Sequence, residues 1–221
     1  MIIESIKMNL DEIKTERLKL VPLSKNDAER FIEIAKNMRL KKEKNTDYQL
    51  FVRFDFDVAP TENDIKKAVM EILTREENTV PPEIKKCRSI RLGNDYIIGY
   101  VGFSYNPKDE ISSDLGIFLD PQYEHMGYAF EAQKSLLAYY FLTCDDKMYL
   151  TIHPKNVPSY KLNTKCGAIK IGHIDNSKYG AERDILVITR KMFIKTVFNK
   201  EFPTKEEENQ FLLDYLKQQN S

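Results

Sequence analysis

Gly127 stands between a short apolar run, Leu115 to Leu119, and a segment in which Ala129, Ala132, Leu136, Leu137, Tyr140 and Phe141 recur at helical spacing. That order predicts a strand, a tight turn and a helix. A glycine in such a turn reaches backbone angles that other residues resist, and it lets a ligand approach the chain closely. The first turn of the helix adds N–H groups with no partner inside the helix, together with the positive end of the helix dipole. This chemistry suits an anion, and a phosphate-bearing ligand is the natural occupant.

Other reactive side chains give weaker patterns. His125, His153 and His173 lack the spacing of metal ligands, so no metal is expected. His153 precedes a proline and reads as structural, and His173 falls at a strand edge. Cys144 and Cys166 have neither a basic neighbour nor a capped turn that would single out a nucleophile, and they read as small core residues.

The elements that must position the turn are legible around it. Leu18 and Leu20 alternate with Lys19 and Val21, a strand signal over 17–22. Ser24 caps the helix that follows, Asp27 favours its positive end, and Ala28, Phe31, Ile32, Ala35 and Met38 form its apolar face. The lysine-rich stretch 41–47 reads as a solvated loop. A short strand is expected at residues 1–6, and residues 50–58 alternate as a strand would. Thr61 caps a helix carrying Ile65, Ala68, Val69, Ile72 and Leu73, with Pro81 and Pro82 in the loop beyond it. Ser89 to Leu92, the turn Gly93-Asn94-Asp95 and residues 96–104 predict a hairpin. A further turn at 107–110 leads to a strand over 111–119. Met148 to His153 is a buried strand ended by Pro154. Pro158 suits the start of a short helix and Gly167 its end. Residues 169–194 read as the final strand pair, divided by the polar stretch 175–184. Thr204 with Glu207 forms a capping-box pattern, and Phe211, Leu212, Tyr215 and Leu216 give the last segment an apolar stripe. That stripe packs on its own domain or forms a dimer contact.

Composition narrows the classes. A chain of 221 residues can bury one sizeable core. With 34 basic and 34 acidic residues, it offers no global electrostatic case for nucleic acid or an anionic membrane. No apolar run approaches the roughly 20 residues of a membrane-spanning helix. Three separated cysteines without a CxxC pair suggest a reducing, cytoplasmic setting.

Residues 121–129, PQYEHMGYA, resemble the acetyl-CoA signature of the GNAT N-acetyltransferases, particularly the branch that acetylates protein N-termini in bacteria. Members carry proline, a polar residue, an aromatic, a variable residue, glycine, a basic residue, glycine, tyrosine and alanine. Here the places are held by Pro121, Gln122, Tyr123, Glu124, His125, Met126, Gly127, Tyr128 and Ala129. The run TERLKLVPLSKNDAERF resembles the opening of the same branch. HPKNVPSYKLNTKCGAIKIG resembles its second signature through Asn156, Ser159, Lys165 and Gly167. The resemblance spans about 14–193 and implies an α/β fold, a GNAT-like mixed central sheet flanked by helices, over residues 1–200. At 50–58, in place of the strand that the alternation suggests, it implies a partly irregular segment between helices, near the acceptor entrance. Residues 201–221 are a helical extension.

The resemblance also implies roles. Backbone donors of Glu124, His125, Met126, Gly127, Tyr128 and Ala129 would cradle the pyrophosphate of acetyl-CoA, the acyl donor. Pantetheine would enter a splay between two central parallel strands, with Asn156 contacting it or an ordered water. Ser159 would stand near the departing sulfur, where a hydroxyl can donate to a thiolate, or would serve its helix as a cap or first-turn residue. Asp114 takes a position where relatives often have glutamate, so it is a candidate base for the amine or a surface turn residue. The aromatic general acid of many GNAT enzymes is replaced by Asn163, and Tyr160 points around the helix. The turn itself departs from the pattern. Met126 removes a positive charge, Glu124 sets a carboxylate beside the phosphates unless it turns away, and His125 replaces a glycine. Lys134, Lys155, Lys161 and Lys165 are candidates to restore the charge.

Two classes of function stand at this point. One is acetyl transfer to a primary amine, either a peptide or protein N-terminus or, alternatively, an aminoglycoside or polyamine. The other is a non-enzymatic GNAT-like module that senses acyl-CoA or binds a protein partner.

Overall fold

Strand β5, Asp114–Leu119, sends Leu115, Ile117 and Leu119 to one face of its sheet and Phe118 to the other, so two apolar layers meet there. The structure is a computed structural model, and it describes residues 12–44, 61–77, 84–105, 114–175 and 182–220. The strands expected at 1–6 and 50–58, the proline loop and the turn at 107–110 lie outside those residues. Five strands, β1 (Ile13–Lys14), β2 (Leu18–Pro22), β3 (Ile84–Leu92), β4 (Ile97–Tyr105) and β5, pair antiparallel in sequence order. The β3–β4 hairpin closes at the predicted turn, with Leu92 N donating to Tyr96 O at 2.9 Å and Asp95 at φ 65°. The β3 strand begins five residues before Ser89, because Ile84 to Arg88 continue the ladder with Val101 to Tyr105.

A second sheet holds β6 (Lys147–Ile152), β7 (Ile169–Ile174) and β8 (Arg183–Thr189) in the order β6-β8-β7, again antiparallel. The two sheets abut at β5 and β6, which come within 8 Å but share no backbone ladder among the described residues.

Helices cover both faces. α1 (Ala28–Lys44) and α2 (Glu62–Glu77) pack Phe31, Ile34, Ala35, Met38, Ile65, Val69 and Leu73 beneath Ile97, Tyr100 and Phe118. Ser24 and Asp27 form a capping box on a short 3₁₀ turn that runs into α1. Thr61 and Asp64 exchange hydrogen bonds at the start of α2. Residues 41–44 of the expected lysine-rich loop are the last turn of α1, where positive side chains favour the negative end of the helix dipole.

The opposite layer is built on α3 (Tyr128–Thr143). Every side chain from Ala132 to Phe141 except Lys134 is buried. A helix apolar on all sides needs cover on all sides. Cover comes from both sheets, from α4 (Val157–Lys165), and from two C-terminal helices, α5 (Arg190–Phe198) and α6 (Lys205–Asn220). The strand pair expected to reach residue 194 ends at Thr189, whose side chain accepts from Met192 N and turns the chain into α5. α6 sets Leu212 and Leu216, both fully buried, into the main core. Its Tyr215 hydroxyl lies 3.0 Å from Ser135 Oγ on α3.

Candidate functional site

Between Leu119 and Tyr128 the chain leaves the sheet and enters α3, and a buried carboxylate holds the start of that turn. Asp120 accepts from Arg30 Nη2 at 2.6 Å and Asn37 Nδ2 at 3.1 Å, both on α1, and it caps the 3₁₀ turn Pro121–Tyr123. Arg30 also donates to Ile97 O at 2.9 Å and lies over the Tyr96 ring. Burial makes each of these charge-assisted bonds stronger than its surface counterpart and makes each partner costly to lose. The reading of the sequence missed Asp120, Arg30 and Asn37. An aspartate followed by proline just after a strand was the available signal for the cap.

Glu124 does not face the turn as an isolated charge, since its carboxylate is paired with Lys41 Nζ from the last turn of α1. His125 takes φ 62°, the left-handed angle that the family's glycine would adopt readily, and its side chain is exposed. Met126 is likewise exposed. Gly127 has φ 86° and ψ −8° and begins α3 without a capping side chain. Among the described residues no side chain caps that first turn, as a phosphate cradle requires.

A guanidinium from elsewhere in the chain, ion-paired to Glu131, stands beside the turn in which Met126 carries no charge. Arg17, just before β2, donates through Nη1 to Met126 O at 3.1 Å, and its guanidinium lies 4.5 Å from the centre of the Tyr128 ring. A Cβ added to Gly127 would come within 3.2 Å of Arg17 Nη2. Glu131, in the first turn of α3, anchors this arginine by accepting from its backbone N at 2.8 Å and from Nε at 2.7 Å, with Nη2 at 2.6 Å. Of the lysines expected to restore charge, Lys134 lies over the Phe198 and Tyr215 rings, where burial lowers its pKa.

Across the gap between the sheets, α4 carries the second group of predicted residues. Asn156 is its N-cap, accepting from Ser159 N at 3.2 Å through Oδ1. Ser159 sits in the first turn, half-buried, with Asn163 Nδ2 3.3 Å from its Oγ. Tyr160 does turn away, and its hydroxyl donates to Asp184 at the start of β8. Burial first, then that hydrogen bond, raises the phenol's pKa, which makes it a poor acid. Asp184 also receives His173 Nδ1 at 2.6 Å and Lys170 Nζ at 2.7 Å. Burial alone would push its pKa up, but the three partners outweigh it and hold the carboxyl down at about 2. Cys166 is fully buried, and burial pushes its thiol up to about 12, so it is no nucleophile at neutral pH. Asp114 opens β5 opposite Ser104 in the ladder with β4.

The arrangement fits an extended donor with a phosphate head. A helix N-terminus flanked by Arg17 is a place where an anion can bind, and β5 and β6 lack a mutual ladder among the described residues, which leaves room for an amide-bearing ligand between them. The hydroxyl of Ser159 stands on the helix that follows β6.

Comparison with known proteins agrees with the fold. The uncharacterised N-acetyltransferase YnaD of Bacillus subtilis strain 168 is 33% identical over 79 residues, which are 35% of this chain and 46% of that protein. The chain thus matches less than half the length of that curated relative. Mycobacterium smegmatis RimJ in complex with CoA-disulfide superposes with a TM-score of 0.63 at 14% identity, over 85% of this chain and 91% of its own. The ribosomal-protein-S5-alanine acetyltransferase of Vibrio fischeri gives 0.60 at 15% identity, over 80% and 96%. At those identities the likeness is one of fold. The acetyltransferase (GNAT) domain family matches residues 17–169, more than half of the sequence, and the chain belongs to that family.

Proposed function

We propose that this chain transfers the acetyl group of acetyl-CoA to a primary amine, with a protein or peptide N-terminus as the favoured acceptor. The observation that carries the proposal is the uncapped N-terminus of α3 at Gly127, with Arg17 beside it and Glu124 drawn onto Lys41. Acetyl-CoA supplies the activated acyl group. Backbone N–H groups of Glu124 to Ala129 and the Arg17 guanidinium bind its pyrophosphate. Asn156 keeps Oδ1 for the helix cap and offers Nδ2 to pantetheine or to a bridging water. Ser159 donates a hydrogen bond to the departing sulfur, and Asp114, directly or through water, takes the proton that the amine loses. Support for a protein acceptor comes from solved neighbours named for ribosomal proteins. The three cysteines are free thiols, which supports a reducing, cytoplasmic setting.

The test is calorimetric titration with acetyl-CoA and with free CoA, comparing the native chain with Gly127→Trp after both are shown to be folded. Saturable binding by the native chain alone supports the cradle and leads to a screen of peptide, aminosugar and polyamine amines. No binding by the native chain at millimolar ligand sinks the proposal and favours a protein-binding module.

A further inference from the structure

Three polar side chains run in a row through the interface of α3 and α4. Gln133 is fully buried and Asn163 nearly so. Gln133 Nε2 donates to Asn163 Oδ1 at 3.0 Å and lies 3.5 Å from Cys166 Sγ. Asn163 Nδ2 donates to Ser159 O at 2.9 Å and to Ser159 Oγ at 3.3 Å.

The direction of this row is dictated by its backbone member. A carbonyl oxygen can only accept, so Asn163 must turn its NH₂ group toward Ser159. Its Oδ1 then faces α3 and needs a donor, which fixes the NH₂ end of Gln133 at that place. Reversing either amide would set donor against donor or acceptor against acceptor in a buried interface and leave both groups unsatisfied. Gln133 Oε1 has no partner among the described residues, so its place in the row is set by the donor end.

The consequence falls on Ser159. Its Oγ receives an N–H from inside the interface, so its own hydrogen is turned to a different partner. We infer that Gln133 and Asn163 are positioning residues that hold the Ser159 hydroxyl as a donor toward the sulfur of coenzyme A. The inference rests on the acetyl transfer proposed above. As the acyl C–S bond breaks, its electron pair stays on sulfur, the new C–N bond forms, and the amine's proton leaves to the base and then to solvent. Ser159 donates a hydrogen bond to the thiolate and keeps its proton, and solvent protonates the thiolate as CoA departs.

The test does not require the acceptor. The thiol of bound CoA is titrated by the ultraviolet absorbance of its thiolate in the native chain, Ser159→Ala, Asn163→Asp and the double variant, with CoA affinity and thermal midpoint measured alongside. Asn163→Asp is nearly isosteric but cannot donate to Ser159. The native chain is expected to titrate bound thiol about one pH unit below free CoA, a tenfold change in acidity. Both single variants return it toward the free value, and the double variant goes no further, because Asn163 acts through Ser159. If Asn163→Asp does not fold, Asn163→Ser and Gln133→Glu take its place, and Ser159→Thr restores the shift. Additive effects, or a bound thiol that titrates like free CoA, overturn the inference while leaving the acetyl-CoA site intact. CoA that fails to bind the native chain overturns the proposed function and this inference with it.

Discussion

Arg17 Nη1 donates to the carbonyl oxygen of Met126 at 3.1 Å, across a sequence separation of 109 residues. A guanidinium from the entry to β2 thereby stands beside the turn whose own basic residue is missing. Glu131 orients it but leaves it partly exposed, so the charge remains available to a ligand phosphate.

Replacing Arg17 by methionine should therefore weaken acetyl-CoA about 10- to 100-fold, in keeping with ~1.5–3 kcal/mol for a hydrogen bond to a charged group. Arg17→Lys should recover part of the loss. A pantetheine fragment without phosphates should bind both chains alike. Equal weakening of fragment and whole ligand would mean that Arg17 acts only by tying β2 to α3, and calorimetry with the two ligands distinguishes the outcomes.

Two left-handed glycines should respond differently to a methyl group. Gly127 at φ 86° would direct Cβ at the movable end of Arg17, whereas Gly167 at φ 91° would direct it to within 2.9 Å of the Met192 carbonyl oxygen in α5. Gly127→Ala should cost about 1–2 kcal/mol, from the backbone angle alone. Gly167→Ala adds overpacking against a fixed backbone and should cost about 2–5 kcal/mol. Urea unfolding of the two variants gives the ranking, and the reverse order would contradict this account.

Much of this framework was legible in the sequence because it rests on local rules. Ser24, Thr61 and Thr204 sit where helices begin, and the period of Leu18 and Leu20 matches their burial. The turn at Gly127 was legible as a turn. What escaped were pairings between distant segments: Arg17 with Glu131, Lys41 with Glu124, Arg30 with Asp120. No local pattern encodes them, since each depends on how α1 and β2 pack against α3. Helix α5 escaped for a different reason. Its apolar residues continue directly from those of β8, and the change of period at Thr189 falls inside one hydrophobic run.

Asp184 couples stability to pH. Its folded pKa, near 2, lies below the ordinary 3.8, so the native state holds the charged form more tightly than the unfolded chain does. The stabilisation is complete above about pH 5 and is lost as pH falls toward the folded value, with a magnitude of about 2 kcal/mol. Asp184→Asn should lower the urea midpoint at neutral pH and flatten its fall between about pH 5 and pH 2. An unchanged acid slope in the variant would place the acid sensitivity elsewhere.

Removing α6 separates a structural helix from a detachable one. Leu212 and Leu216 are fully buried in the main core, and Phe211 and Tyr215 pack against Phe198 with ring centres about 5 Å apart. Each buried leucine contributes about 1.5–3 kcal/mol, and typical domains are stable by only about 5–15 kcal/mol in all. A chain ending at Lys200 should therefore lose cooperative unfolding or fail to remain soluble. Leu212→Ala, a smaller perturbation, should cost about 2–5 kcal/mol. If α6 served chiefly as a contact between two copies, the shortened chain would still unfold cooperatively, at a midpoint that no longer varies with protein concentration, and sediment as a smaller species. Thermal unfolding and sedimentation of the same samples decide between these outcomes, because loss of burial within one chain lowers the midpoint at every protein concentration, whereas loss of a dimer contact makes it concentration-independent.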